Sequence, residues 1–150
     1  MDIIKYLEEA IKLEENTSRL YQLFAEHYKD DYIFWWRLSL EELNHSALLK
    51  TGIEFAEQNE FPKELIPDNI DEIIQLNDSF DSLIENFKSN PTRYKCFEIA
   101  LNIESSAGEN HFQEVMTNHS DNEIVQIFQK LNKDDINHYN RIKDYFGKII

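Results

Sequence analysis

The sequence Glu42-Leu43-Asn44-His45 recurs as Asp135-Ile136-Asn137-His138, 93 residues further along the chain. In each copy a carboxylate precedes an imidazole by three residues, so on a helix both side chains lie on one face. Two glutamates repeat at almost the same interval, because Glu14 ends Ala10-Ile11-Lys12-Leu13-Glu14 and Glu104 ends Ala100-Leu101-Asn102-Ile103-Glu104, 90 residues later. The repeats predict two related helical hairpins, each with one Glu and one acid-x-x-His.

Apolar residues at alternating intervals of three and four predict four long helices with inner rows that face a bundle core. We expect the first helix over about residues 2–28, a turn at Lys29-Asp30-Asp31, and a second helix to about residue 58. Asn90 as N-cap and Pro91 predict the start of the third, and the capping box Ser120-Asp121-Asn122-Glu123 predicts the start of the fourth. The inner rows, taken helix by helix, are Ile4, Leu7, Ile11, Glu14, Ser18, Tyr21, Ala25 and Tyr28; Trp35, Leu38, Glu42, His45, Leu49, Gly52 and Ala56; Tyr94, Phe97, Leu101, Glu104, Gly108, His111 and Val115; and Phe128, Leu131, Asp135, His138, Ile142, Tyr145 and Ile149.

The segment Asn59–Asn90 interrupts this pattern, with Pro62 and Pro67 near its start. Two short amphipathic pieces, near residues 70–76 and 80–87, predict a crossover with helical turns that is too long for a hairpin. Such a long connection between the second and third helices fits a chain that crosses back over a four-helix bundle, so we predict an all-α four-helix bundle with a crossover, built from the two hairpins.

Six polar side chains replace apolar residues in the inner rows at matching distances from the two turns. Four carboxylates in a core would raise one another's pKa values or unfold the bundle, because burial and like charge both disfavour ionisation. Two divalent cations would balance four negative charges, and two neutral imidazoles would complete a mixed oxygen and nitrogen ligand set that suits Fe(II), Mn(II) or Zn(II). We therefore expect metal ligands at Glu14, Glu42, His45, Glu104, Asp135 and His138.

Composition limits the classes of protein to which the chain can belong. Its 150 residues are enough for one domain with a core, so we expect a single domain over residues 1–150. The net charge of −14 argues against binding to nucleic acid or to an anionic membrane surface. We find no signal peptide and no apolar run of membrane-spanning length, and we expect a cytoplasmic protein.

These motifs resemble those of the ferritin-like di-iron carboxylate superfamily, and most closely those of the rubrerythrin family. The family motif is Ala-Ile-x-x-Glu with a Tyr seven residues on, followed by Glu-x-x-His; Glu14 with Tyr21 and Glu42 with His45 match it. In the second half Glu104 and His138 match, but Asp135 replaces a Glu. The resemblance covers about 120 residues in four helices, and it implies two iron ions and reduction of peroxide or oxygen.

The chain also departs from the family pattern. His111 stands where the second Tyr would be, and Ala107 replaces an extra Glu ligand that lets one iron of rubrerythrins move. Tyr21 and His111 are second-shell candidates, able to orient ligands without binding metal. With Cys96 alone the chain holds no rubredoxin centre, so the resemblance implies a separate electron donor such as a rubredoxin-like protein. We expect a homodimer. We also expect no haem, because Leu43 stands where bacterioferritin has its haem-ligating Met.

Three alternatives remain open at this point: iron oxidation and storage in a cage, a di-iron hydroxylase, and a non-catalytic metal-binding or sensing bundle. Among other residues, we expect Trp35, Trp36 and most aromatics in the core and a buried Cys96. His27 and His119 lie near turns and are expected to be exposed. Glu41 and Asp134 are expected to be surface acids, with orientation of the imidazoles as their alternative role.

Overall fold

The computed structural model describes residues 2–67, 69–107 and 116–149, and within these ranges it contains five α-helices and no strand. The all-α prediction is therefore confirmed. The more detailed prediction, a ferritin-like four-helix bundle with a crossover, stays a prediction. The helices are α1 (Ile3–His27), α2 (Tyr32–Glu57), α3 (Asp71–Ser89), α4 (Arg93–Ala107) and α5 (Glu123–Ile149), and short 3-10 turns lie at Lys29–Asp31 and Lys63–Leu65.

The chain divides into two compact units, Met1–Asn90 and Pro91–Ile150. The first unit contains α1, α2 and α3, and the second contains α4 and α5. The predicted turn between the first two helices is present as the 3-10 turn, and α2 ends one residue before the predicted boundary. The single domain expected over residues 1–150 stays a prediction.

Helix α1 is the central element of the first unit, because it packs against both α2 and α3. The Asp2 side chain caps its first turn by accepting hydrogen bonds from the backbone N–H groups of Ile4 and Lys5 at 3.0 and 3.2 Å. Burial of Leu7, Ile11 and Tyr21 follows the predicted inner row. A second buried row of α1 faces elsewhere around the helix; it comprises Leu13, Asn16, Leu20 and Phe24.

Helix α3 corrects the prediction of two short helical pieces in the crossover. It is one continuous helix of 19 residues, because neither Pro nor Gly interrupts residues 71–89. Asn77 breaks the apolar spacing there, and it is buried. Its amide donates to the Glu9 carbonyl at 2.9 Å and carboxylate at 2.7 Å, while its Oδ1 accepts from the Asn16 amide at 3.2 Å. These bonds hold α3 on α1 and satisfy polar groups that would otherwise be costly to bury.

The starts of α4 and α5 also differ from prediction. Helix α4 begins at Arg93, two residues after Pro91, and the Thr92 hydroxyl accepts from the Lys95 backbone N–H at 3.1 Å. Helix α5 begins at Glu123 with Asn122 as its cap, since Asn122 Oδ1 accepts from the N–H groups of Ile124 and Val125. The capping-box prediction was wrong because Asn122, two residues beyond Ser120, offers a strong cap nearer the first apolar residues of the helix.

Burial tests the remaining expectations. Trp35 and Cys96 are buried, and His27 and His119 are exposed, as predicted. Trp36 and Tyr94 were expected inside but are 37% and 53% exposed. Trp36 follows a buried Trp directly, so on a helix it is turned by about 100° away from the core. None of the described helices is long and apolar enough to cross a membrane.

Candidate metal centre

Polar side chains occupy the inner rows of the ligand helices in both units. Glu42 and His45 on α2 are 2% and 1% exposed, and Glu104 on α4 and His138 on α5 are 3% and 1% exposed. Apolar side chains normally fill such positions. Buried carboxylates and imidazoles are stable only when their charges are compensated and their polar atoms have hydrogen-bond partners. The structure therefore buries four of the six predicted ligands, and it leaves Glu14 and Asp135 partly exposed.

Glu14, Glu42 and His45 come together in the first unit, and we call them the first ligand set. His45 Nδ1 lies 3.5 Å from Glu14 Oε2 and 3.6 Å from Glu42 Oε2. The Glu14 side chain is 12% exposed, whereas the other two side chains are almost fully enclosed. Two carboxylates and one imidazole thus converge from two helices on a single small volume.

A serine pair holds α1 and α2 in the register that this convergence requires. The buried Ser18 hydroxyl donates to the Ser39 carbonyl oxygen at 2.8 Å, one turn from Glu14 on α1 and about one turn before Glu42 on α2. The Gln22 side chain donates to the same hydroxyl at 3.2 Å. A small residue at position 18 lets the helices approach, and its bond to a backbone atom across the hairpin fixes their relative height.

Burial and mutual charge shift the protonation of the first ligand set. Burial, followed by the negative charge of Glu42, raises the pKa of Glu14 well above its usual range. Burial alone would lower the pKa of His45, but its contacts with Glu14 and Glu42 outweigh that effect and raise the pKa to about 11. Without a cation the set is therefore kept near neutrality by bound protons, and a divalent metal ion would replace them.

Glu104, Asp135 and His138 form the second ligand set, in the second unit. His138 Nδ1 lies 3.7 Å from Glu104 Oε1, a contact between α5 and α4. Asp135 precedes His138 by three residues on α5 and is only partly buried. A contact between a buried His and a Glu on the neighbouring helix thus occurs in both units.

Glu42 and His45 on α2, and Asp135 and His138 on α5, are candidate metal ligands. Three of the four are buried and the fourth is half-buried. Carboxylate oxygens and imidazole nitrogens are ligands that Fe(II), Mn(II) and Zn(II) all accept, so the donor set fits the metal class expected from the sequence. The described residues contain helices and no strand, and they include candidate metal ligands.

Of the two residues expected to orient ligands without binding metal, the structure describes Tyr21 but not His111. Tyr21 is fully buried, and its ring lies 5.3 Å from that of Trp35 and 6.2 Å from that of Phe24. His111 lies outside the described residues, as does the Ala107 side chain, so the role of the former stays a prediction. Glu41 is half-buried, and Asp134 binds Lys130 at 2.9 Å through an i,i+4 pair on α5.

Tyr6 is a neighbour of the site that the sequence did not reveal. Burial and, to a smaller extent, the negative charge of Glu14 raise the pKa of Tyr6 to about 12. Tyr6 and Glu14 are eight residues apart, about two helical turns, so helical periodicity could have indicated that both lie on nearby faces of α1. The phenol is thus neutral at ordinary pH and adds no charge near the first ligand set.

Searches for related proteins found no match among protein-family models, curated protein sequences or solved structures.

Proposed function

We propose that this chain is a di-iron carboxylate protein that reduces peroxide or oxygen, with a ferritin-like four-helix bundle as its fold. Glu14, Glu42 and His45 would hold one ion, and Glu104, Asp135 and His138 would hold the other. The observation that carries the proposal is the contact in both units between a buried His and a Glu on the neighbouring helix, at 3.5 Å between Glu14 and His45 and at 3.7 Å between Glu104 and His138. These residues repeat in the sequence with nearly constant spacing.

Charge balance supports metal binding over a permanent ion pair. In the first ligand set, two ionised carboxylates and one imidazolium sum to a charge of −1, and a raised pKa of Glu14 shows that this charge is costly. Two carboxylates, a neutral imidazole and one divalent cation sum to zero without bound protons. Since an uncompensated buried charge destabilises a fold by several kcal/mol, on the order of 3–5, the metal-bound state relieves a cost that the metal-free state carries.

The residues of this chain would have defined tasks in the reaction. Two Fe(II) ions, when bound, supply the two electrons that convert hydrogen peroxide and two protons into two water molecules. The six side chains bind and orient the ions. Buried Leu38, Leu49 and Ile142 each lie about one helical turn from a ligand on α2 or α5 and would keep bulk water away from the ligands. Return to the reduced state requires electrons from a separate donor, such as a rubredoxin-like protein.

Anaerobic loading with Fe(II), followed by elemental analysis, tests the metal proposal. We expect about two ions per chain, because four carboxylates need about four positive charges. Glu14→Gln should lower occupancy, whereas Glu15→Gln should not, since Glu15 lies on the surface and pairs with Lys50 at 3.5 Å. Fewer than one tightly bound ion in the wild-type protein, or equal losses in these neighbouring variants, would contradict the proposal.

Stopped-flow oxidation of the Fe(II)-loaded protein separates the chemical alternatives. We expect hydrogen peroxide to oxidise the centre faster than oxygen and to do so once per loaded site unless a reductant is added. Faster reaction with oxygen, with ferric mineral accumulating, would instead indicate iron storage. Oxygen-dependent hydroxylation of an added organic substrate would indicate a hydroxylase, and no reaction with either oxidant would indicate a binding or sensing protein.

A further inference from the structure

Both tryptophans of the chain are consecutive residues near the start of α2, and each contacts a tyrosine. The ring of the buried Trp35 lies 5.3 Å from that of the buried Tyr21 on α1. The rings of Trp36 and Tyr32 stack, with centroids 5.8 Å apart and planes inclined by 9°, and these side chains are 37% and 40% exposed. Four side chains that are open to one-electron oxidation thus extend from the interior of the first unit to its surface. We call them the aromatic path.

The inner end of the aromatic path lies close to the first ligand set. Tyr21 follows Glu14 by seven residues on α1, which is about two helical turns. Because side chains on a helix lean toward its N-terminus, Tyr21 leans toward Glu14. The buried Ser18–Ser39 hydrogen bond at 2.8 Å links α1 and α2 between these two levels. Packed and bonded protein atoms therefore fill the gap, which favours electron transfer across it.

The second hairpin shows that packing does not require these side chains. At the offset of 93 residues, α5 has residues that resist oxidation at all three positions of the path on α2: Val125 for Tyr32, Phe128 for Trp35 and Gln129 for Trp36. Phe128 is buried, as Trp35 is, so phenylalanine suffices for the core at this point of the repeat. The oxidisable side chains are therefore a property of the first hairpin alone, beside whose ligand set they lie.

The chemistry of peroxide gives such a path a use. Reduction of hydrogen peroxide to water takes two electrons, and a chain that holds one Fe(II) ion supplies only one from its metal. One-electron reduction splits the O–O bond into a hydroxide ion and a hydroxyl radical, which attacks nearby side chains. Chains with one ion arise whenever iron is scarce and one ligand set fills before the other. A second electron from a side chain near the ion prevents release of the radical.

We propose that the aromatic path supplies this second electron to the first ligand set and carries the resulting radical to the protein surface. The proposal rests on the di-iron function proposed above. One Fe(II) ion and one tryptophan each lose an electron, and hydrogen peroxide with two protons becomes two water molecules; Fe(III) and a tryptophan radical cation remain. At the exposed and stacked rings of Trp36 and Tyr32, a soluble thiol reaches the radical and returns the missing electron.

Freeze-quench EPR spectroscopy tests the inner part of the path in the full chain, loaded anaerobically with one Fe(II) ion and mixed with one equivalent of hydrogen peroxide. We expect an organic radical to accompany Fe(III) in the wild-type protein. The double variant Tyr21→Phe/Trp35→Phe should lose that radical and release several-fold more hydroxyl radical to a spin trap. Tyr94→Phe is the matched control, because this tyrosine of the second unit is 53% exposed and should leave both signals unchanged. Iron content and circular dichroism should be the same in all variants.

Trp36→Phe tests the outer end of the path at an exposed position. The radical should form as in the wild-type protein, but a soluble thiol should reduce it several-fold more slowly, because it stays on buried rings. Formation of Fe(III) without an organic radical in the wild-type protein would overturn the proposal. Equal release of hydroxyl radical from the double variant, or unchanged reduction by thiol in Trp36→Phe, would also overturn it.

Failure of the di-iron function is distinguishable, because it would appear as an absence of bound Fe(II) before peroxide is added. The path is testable without metal, since azide radicals made by pulse radiolysis oxidise accessible tryptophan in the metal-free chain. In Tyr32→Phe, which lacks the nearest surface acceptor, the tryptophan radical should pass to a tyrosine at a rate independent of protein concentration. Adding Tyr21→Phe should abolish this transfer, and an unchanged rate would overturn the path whether or not iron binds.

Discussion

His45 and His138 occupy corresponding positions on α2 and α5, but their carboxylate neighbours differ. His45 has two glutamate oxygens within 3.6 Å of its Nδ1, one from α1 and one from its own helix. His138 has Glu104 at 3.7 Å, and the acid on its own helix is the shorter Asp135, which is half-buried. The two sets thus differ by one methylene in the acid that precedes the histidine, and we expect the set with the longer Glu42 to bind metal more tightly. Four predictions follow from this difference, from the largest effect to the smallest.

Removal of each histidine should reveal two binding steps of unequal strength. His45→Ala should weaken the tighter step by more than the roughly 10–100-fold that loss of an outer-shell partner costs, because it deletes a direct ligand. His138→Ala should mainly weaken the second step. Competitive titration with Zn(II) measures both, with His27→Ala and His119→Ala as exposed controls. Loss of the same step in both variants would show that the two sets act as one.

Chelation should lower the melting temperature, because metal binds the folded chain and not the unfolded one. With free metal at about 100 times its dissociation constant, each ion stabilises the fold by about 2.7 kcal/mol. This corresponds to roughly 5–10 °C for a chain of this size. At low free metal, the shift on chelation should persist in His138→Ala and shrink in His45→Ala. Calorimetry that shows no shift while metal is removed would contradict coupling of the site to folding.

Metal affinity of the first ligand set should rise with pH. Because the pKa of His45 is raised to about 11, the imidazole is protonated throughout the range of about pH 6 to 8, and a metal ion must displace that proton. Each displaced proton makes the affinity rise about tenfold per pH unit, and the raised pKa of Glu14 adds a second displaced proton wherever that carboxyl is protonated. In the His138→Ala background, proton release on Zn(II) addition can be measured by titration calorimetry in buffers of different ionisation enthalpy. A pH-independent affinity would mean that His45 is already neutral.

Exchange of the two acids should reduce or invert the difference between the sets. Asp135→Glu restores one methylene and should tighten the second binding step by up to about tenfold, or ~1.4 kcal/mol. Glu42→Asp should weaken the first step by a similar factor, because the shorter side chain reaches less far from α2. Zn(II) titrations of both variants test this. If Asp135→Glu weakens metal binding, the shorter carboxylate is the better ligand at this partly exposed position.

The sequence predicted the ligand helices well because their inner rows are long and strictly periodic. Glu42 and His45 are the two polar members of an inner row whose other members are all apolar, so their polarity stands out in the sequence. Prediction was poorer where local signals competed. Pro91 and Ser120 are acceptable residues for a helix start, but Thr92 and Asn122 lie nearer the first helical turn and cap it. Helix α3 was divided in two because Asn77 interrupts its apolar pattern, and its partners Asn16 and Glu9 are more than 60 residues away.

The sequence by itself determined the helical class, the two repeated hairpins and the six candidate ligands, because each depends on intervals between residues along one helix. Only the tertiary structure decided which side chains meet and how enclosed they are. The 3.5 Å contact of His45 with Glu14 depends on the register between α1 and α2, which the Ser18–Ser39 hydrogen bond fixes across the hairpin. The exposure of Trp36 and Leu40 likewise depends on which face of α2 packs against α1. Periodicity identifies two apolar faces on such a helix, but only packing between helices determines which of them is buried.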